Sequence, residues 1–159
     1  MNITIDKNKI LERVKTDSYY TGESAKVGDY DSKTIAAMSQ ASDDDDNTLS
    51  SYMDIAASVV SDTIYQALDK TQPLTGIGDS GQSYVFTLLQ PTTFPETLIP
   101  SITESIMAYI ASYTLYRWLK NINPQMADTS EFESLLSDIN HRVNQRTKPV
   151  RRPVMPMNF

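Results

Sequence analysis

The chain has 159 residues, 40% of them apolar and 21% charged. That suits one ordinary globular domain with arms, long enough to bury one core and too short for a second. Cysteine is absent and His141 is the single histidine, which excludes a disulfide scaffold, a thiol nucleophile and Cys- or His-rich metal centres, and leaves almost no acid–base catalyst poised at neutral pH.

The net charge of −6 is unevenly placed. All 20 acidic residues and nine of the 14 basic ones precede residue 139, so residues 1–138 carry −11. Arg142, Arg146, Lys148, Arg151 and Arg152 give the rest +5. An acidic body is poorly suited to wrapping nucleic acid. With a basic tail it suits self-association, or docking on an acidic partner. Residues 1–6 (MNITID) lack the basic start and apolar run of a signal peptide.

The first helix is expected over 6–20, with Ile10, Leu11 and Val14 on one face and Asp6 as its cap. Thr21-Gly22 and Gly28-Asp29 then punctuate a polar stretch, and residues 32–41 (SKTIAAMSQA) predict a short helix. A long amphipathic helix follows, from about Asn47 to Asp69. Leu49, Met53, Ala56, Val60, Ile64 and Ala67 mark its inner face, and Tyr52, Val59 and Leu68 widen it. Ser51, Asp54, Ser58, Asp62 and Asp69 mark its polar face. Asp43 to Asp46 precede it, where carboxylates favour the positive end of the helix dipole.

Pro73 and three glycines break the pattern. Residues 83–90 (SYVFTLLQ) read as a strand, and Leu74 to Ile77 as its hairpin partner. Another helix is expected over Glu96 to Ile122. Leu98, Ile102, Ile106, Tyr109, Tyr113, Tyr116 and Leu119 form one face; Ser101, Ser105, Ala108 and Ser112 form a second face of small side chains. A helix of that kind sits centrally, with a neighbour close by. Its most apolar stretch, between Glu104 and Arg117, is 12 residues long, short of the about 20 that cross a membrane. Pro124 ends it. The last helix is expected over Thr129 to Arg146, carrying Phe132, Leu135, Leu136, Ile139 and Val143, with Ser130 or Thr129 as cap. Pro149, Pro153 and Pro156 then keep residues 147–159 extended, although Val150, Val154, Met155, Met157 and Phe159 make the segment more apolar than a solvated tail.

Several motifs are weaker than they look. Gly76-x-Gly78-x-x-Gly81 fits a dinucleotide fingerprint as a bare pattern, but a turn precedes it and a strand follows, whereas a phosphate site needs strand before and helix after. A flexible hairpin loop is the better reading. Gly78-Asp79-Ser80-Gly81 echoes a protease serine, yet the chain is short and helical and its lone histidine sits on a helix. Asp43, Asp45, Asn47 and Asp54 match calcium-loop positions, but Thr48 replaces the required glycine. A solvated acidic helix start is preferred there over weak cation binding. His141 and Asp138 share helical spacing without a further ligand, and Glu131 and Glu133 face apart. Tyr109, Tyr113, Tyr116 and Trp118 read as core packing, not a ligand pocket, with Trp118 and the hydroxyls near an edge.

The order of elements carries a resemblance. A long Asp/Asn-started amphipathic helix is followed by a glycine-containing hairpin, the apolar helix LIPSITESIMAYIASYTLYRWL, a shorter helix and a basic proline-punctuated tail. Over about residues 45–150 this layout resembles the head–tail connector proteins (adaptor, head-completion or neck-ring) of tailed bacteriophages, in the style of the ring proteins of crAss-like phages of Bacteroides. The resemblance implies a mainly α fold: a helical bundle over residues 1–146, a small β-hairpin at about 74–90 and an extended C-terminal arm at 147–159. It implies a non-enzymatic virion protein, made in the host cytoplasm, that forms a ring of commonly twelve copies beneath the portal in the neck. Tail components would attach to the ring, and DNA would pass through without specific recognition. No catalytic residue, cofactor, metal or membrane is implied. Arg146, Arg151, Arg152, Val154, Met155, Met157 and Phe159 are the expected partner-binding residues, the arginines for carboxylates and the others for apolar grooves. The alternative is an acidic cytosolic binding module, a chaperone-like adaptor for one partner protein.

Overall fold

A computed structural model of the chain describes residues 1–24, 32–78, 81–89 and 94–145. Those residues form a mainly helical bundle with one small antiparallel sheet. In chain order come β1 (Asn2–Asp6), α1 (Lys7–Ser24), α2 (Ser32–Ser39), α3 (Asp46–Thr63), β2 (Leu74–Thr75), β3 (Ser83–Thr87), α4 (Ile99–Ile122) and α5 (Ser130–Val143). Tight helical turns at Asp43–Asp45, Tyr65–Ala67, Glu96–Leu98 and Pro124–Met126 link them. The expected arm, with Arg146, Arg151, Arg152, Val154, Met155, Met157 and Phe159, lies outside the described residues, as do Asp79 and Ser80.

The sheet holds a strand that the sequence reading did not assign. Its order is β1-β3-β2. Ile3 faces Phe86 and Ile5 faces Tyr84 across the β1–β3 ladder. Leu74 faces Phe86 and Thr75 faces Val85 on the other side. Ile3, Ile5, Tyr84 and Phe86 are buried on one face of the sheet. A strand of five residues leaves a weak local trace, because its hydrogen bonds go to a partner eighty residues away.

α1 starts where expected, with the Asn8 amide donating to Asp6 Oδ1 at 2.9 Å. It does not stop at Thr21-Gly22. Gly22 is inside the helix and buried, because α2 crosses there at backbone distance. A Cβ at Gly22 would lie 2.7 Å from Ala36 Cα and 2.9 Å from Ser39 Cβ. The Ala41 amide also donates to Ser18 Oγ at 3.1 Å, closing the same corner.

α3 ends at Thr63, earlier than its apolar pattern suggested. The chain tightens into the Tyr65–Ala67 turn so that Leu68 can bridge Leu88 beside the sheet. Leu49, Met53, Ala56, Val60, Ile64 and Leu68 are buried as expected. Thr129 holds the N-cap position of α5, as expected, but makes no side-chain capping bond; the Asp128 carboxylate before it accepts from the Ser130 amide and hydroxyl, at 2.9 Å each.

α4 is the central helix. Ile102, Ile106, Tyr109, Ile110, Ala111, Thr114 and Leu119 are buried around its circumference. α1 runs parallel to it, with Arg13 3.4 Å from Glu104 near one end and Thr21 sharing a crevice with Ser112 and Leu119 near the other. α3 runs antiparallel, so that Asn121 near the end of α4 donates to the Tyr52 hydroxyl near the start of α3. α5 is antiparallel too: Phe132 packs on Tyr109, Tyr113 and Tyr116, and Arg142 donates to Ser101. The aromatic run is therefore packing, and the Trp118 indole donates to the Ser39 carbonyl at 2.9 Å at the edge. Among the described residues no helix is long and apolar enough to cross a membrane.

The Gly22 contact yields a direct test. Gly22→Ala gains helix propensity of about 1 kcal/mol but drives a methyl into the α2 backbone. The clash dominates, and thermal or urea unfolding is expected to show a net loss of roughly 1–3 kcal/mol.

Candidate functional site

A partly buried polar cluster joins the first turn of α1, the middle of α3 and the loop between β2 and β3. The β1–β3 ladder continues one step past the strand, with the Lys7 amide donating to the Gln82 carbonyl at 2.9 Å. That pins the start of α1 beside the hairpin loop. The loop turns back through Gly76 at φ +94° and Gly78 at φ +70°. Both lie in the left-handed region that favours glycine. Gly76 is also required sterically, since a Cβ there would meet the Ser83 carbonyl oxygen at 2.1 Å.

Asp54 is the hub. Its Oδ1 accepts the Tyr84 hydroxyl at 2.6 Å and its Oδ2 accepts the Gly78 amide at 2.9 Å. Lys7 Nζ donates to the Gly78 carbonyl at 2.8 Å, lies 3.9 Å from Asp54 Oδ1, and sits 4.7 Å above the centre of the Tyr84 ring. The Lys7 and Asp54 side chains are 11% and 21% exposed. Charges held that far from water need partners, and each has them. The shortest bond runs from a phenol to a carboxylate, the strong charge-assisted kind.

The cluster borders an open cleft of about 570 Å³ between α1 and α3, whose walls include Asn8, Leu11, Asn47, Ser50 and Gln82. Its chemistry is that of a brace. Burial pushes the Tyr84 phenol up, and the bond and charge of Asp54 push it further in the same direction. A phenol held protonated in that way donates a hydrogen bond but exchanges no proton near neutral pH. Both carboxylate oxygens of Asp54 are already engaged.

The sequence reading put Asp54 on the solvated face of its helix and did not single out Lys7 or Tyr84. One signal was available. Tyr84 alternates with Phe86 along a strand, so a buried Phe86 places Tyr84 on the same inner face, and a buried tyrosine hydroxyl requires a partner. In the described part of the glycine loop, Asp54 and Lys7 hold both backbone groups of Gly78.

The other candidates separate in space. Asp43 and Asp46 each approach Lys15 Nζ at 2.7 Å. Asp45 turns back to accept from the Ser42 amide and hydroxyl at 2.9 and 2.8 Å. Asp43, Asp45 and Asp54, three of the four calcium-loop positions, thus engage different neighbours, and among the described residues no group of three acidic or histidine side chains is arranged to hold a metal. His141 is exposed on α5, and Asp138 pairs with Arg142 at 2.7 Å. No strand-to-helix junction follows Gly76–Gly81; β3 does. No protein-family model, curated protein or solved structure matches this chain.

Two results are expected from the brace. Tyr84→Phe keeps the ring and removes the bond to a charged acceptor, at a cost of about 2 kcal/mol in chemical denaturation, while Asp54→Ala additionally speeds hydrogen exchange of the Gly78 amide. Alkaline titration reads the phenol itself. The unfolded phenol ionises near 10.0, and the folded one only at higher pH. Above pH 10 the folded state then holds the extra proton, so the Tyr84 contribution is constant below that pH and falls as pH rises past it. Phenolate absorbance is expected to show Tyr84 and the buried Tyr109 ionising after the exposed tyrosines, together with loss of the fold.

Proposed function

We propose that the chain is a structural, non-enzymatic subunit of a ring that joins the portal to the tail of a bacteriophage and extends the DNA channel. The observation that carries this reading is the α3–hairpin–α4 layout. Two long antiparallel helices flank a short glycine hairpin whose loop is braced to the bundle by Asp54, Lys7 and Tyr84. This is the order of elements on which the connector resemblance rests. The central cluster also does structural work, which fits a scaffold better than a catalyst.

In this reading the helix faces pack side by side between copies. The residues of the 147–159 arm, with Arg146, fix each copy to its neighbour or to the portal. The acidic body favours a channel wall along which DNA slides without sticking. The expected location is the virion neck, with the portal on one side and tail proteins on the other.

Electron microscopy of the full chain, alone and mixed with its portal, tests the proposal. Rings, or a portal-bound collar, support it. A 1:1 or 2:1 complex with a single partner supports the acidic binding module instead. Removal of residues 147–159 is expected to leave helical circular dichroism and solubility unchanged while abolishing co-sedimentation with the portal. Undiminished co-sedimentation would remove the arm from the mechanism.

A further inference from the structure

Four chain segments meet at one end of the bundle. α3 and α5 are both antiparallel to α4, so the end of α3, the start of α4 and the end of α5 lie together. The Arg142 to Ser101 bond marks that end for α5. The Leu89 amide donates to the Ala67 carbonyl at 2.8 Å and the Asp69 amide to the Thr87 carbonyl at 2.8 Å, which brings the end of β3 there as well.

This end carries an apolar surface with an acidic surround. Tyr65 is 43% exposed and Leu89 is 53% exposed. The Leu89–Ala67 bond sets Leu89 beside the turn that bears Tyr65. Asp62 is exposed one helical turn before Tyr65, Asp69 follows the turn, and exposed Glu96 precedes α4. Lys70, 5.8 Å from the Tyr65 ring centre, and the Met1 ammonium, which donates to the Leu88 carbonyl at 2.9 Å, are the opposing charges. Asp69 Oδ1 also accepts from the Thr71 amide and hydroxyl. Three carboxylates against two ammonium groups leave a net negative charge, with Asp62 and Glu96 as the carboxylates outside those contacts. Neither Asp62 nor Glu96 enters a described ion pair.

The described chain stops at Gln145, at this same end. The next fourteen residues, Arg146 to Phe159, carry four cations and no carboxylate side chain, followed by Val154, Met155, Met157 and Phe159. Extended, fourteen residues reach about 45 Å, so the surface is well within range. Basic and apolar groups face acidic and apolar ones, and the tether adds a high effective concentration.

We propose that the Tyr65–Leu89 surface is the seat of residues 146–159 of the same chain, with the arginines on Asp62 and Glu96 and the apolar residues on Tyr65 and Leu89. The seat concerns a single subunit and does not depend on the connector reading. Held there in the free subunit, these side chains reach a neighbouring copy or the portal only on leaving the seat.

The absence of cysteine makes the test clean. The full chain is prepared with Asn158→Cys paired with Gln66→Cys, next to Tyr65, or with Asn47→Cys, at the other end of α3. Oxidation is followed in dilute protein on non-reducing gels. The Gln66 pairing is expected to close within one chain about tenfold faster than the Asn47 pairing. Adding Asp62→Lys and Leu89→Ser, both at exposed positions, is expected to abolish the advantage with circular dichroism unchanged. Equal rates for the two pairings overturn the proposal, as does an advantage that survives Asp62→Lys with Leu89→Ser. Disulfides formed between chains overturn it in favour of a second copy as occupant.

Discussion

Everything in this fold follows from the need to cover α4. Its buried residues, from Ile102 to Leu119, lie around the helix and not along one stripe, so a single neighbour cannot shield it. α1, α3, α5 and β1 all pack against it. Ile10 and Val14 from α1, Met53 and Val60 from α3, and Ile139 and Val143 from α5 join one continuous core with Ile106 and Ile110. Fully burying each such side chain contributes about 1.5–3 kcal/mol, which outweighs the polar contacts at the bundle surface.

The small antiparallel sheet depends on that arrangement. Three short strands are marginal in isolation. Here Tyr84 and Phe86 on β3 and Ile3 and Ile5 on β1 enter the same core, and the helices supply the missing layer. Asp54 fixes the hairpin from outside the core. One residue on the outer side of α3 thereby couples the bundle to the sheet, through a phenol bond and an amide bond. Because Lys7 continues the β1–β3 ladder and also reaches Gly78, the start of α1, the hairpin loop and α3 form one unit.

Charge is distributed in keeping with this division. Ion pairs among the described residues are mostly at the surface: Lys15 with Asp43 and Asp46, Arg13 with Asp17 and Glu104, Arg142 with Asp138. Exposed pairs contribute little to stability and are screened by salt. Their absence at Asp62 and Glu96 matters more, since it leaves two carboxylates outside any described ion pair, at the end of the bundle where α5 finishes.

The sequence by itself determined the helices. The apolar spacing of Leu49 to Val60 and of Ile102 to Leu119, the Asp6 cap and the breaks at Pro73 and Pro124 are all local features. The 83–87 strand was legible for the same reason, in its β-branched and aromatic run. Only the tertiary structure decided what depended on distant neighbours. β1 is a strand because β3 lies beside it. Gly22 sits inside a helix because α2 approaches too closely for a Cβ. Asp54, polar by pattern and placed with the solvated residues, became the hub of the brace because Tyr84 and Gly78 arrive from a hairpin thirty and twenty-four positions away. Periodicity records which face of an element is buried; it carries no record of which element does the burying.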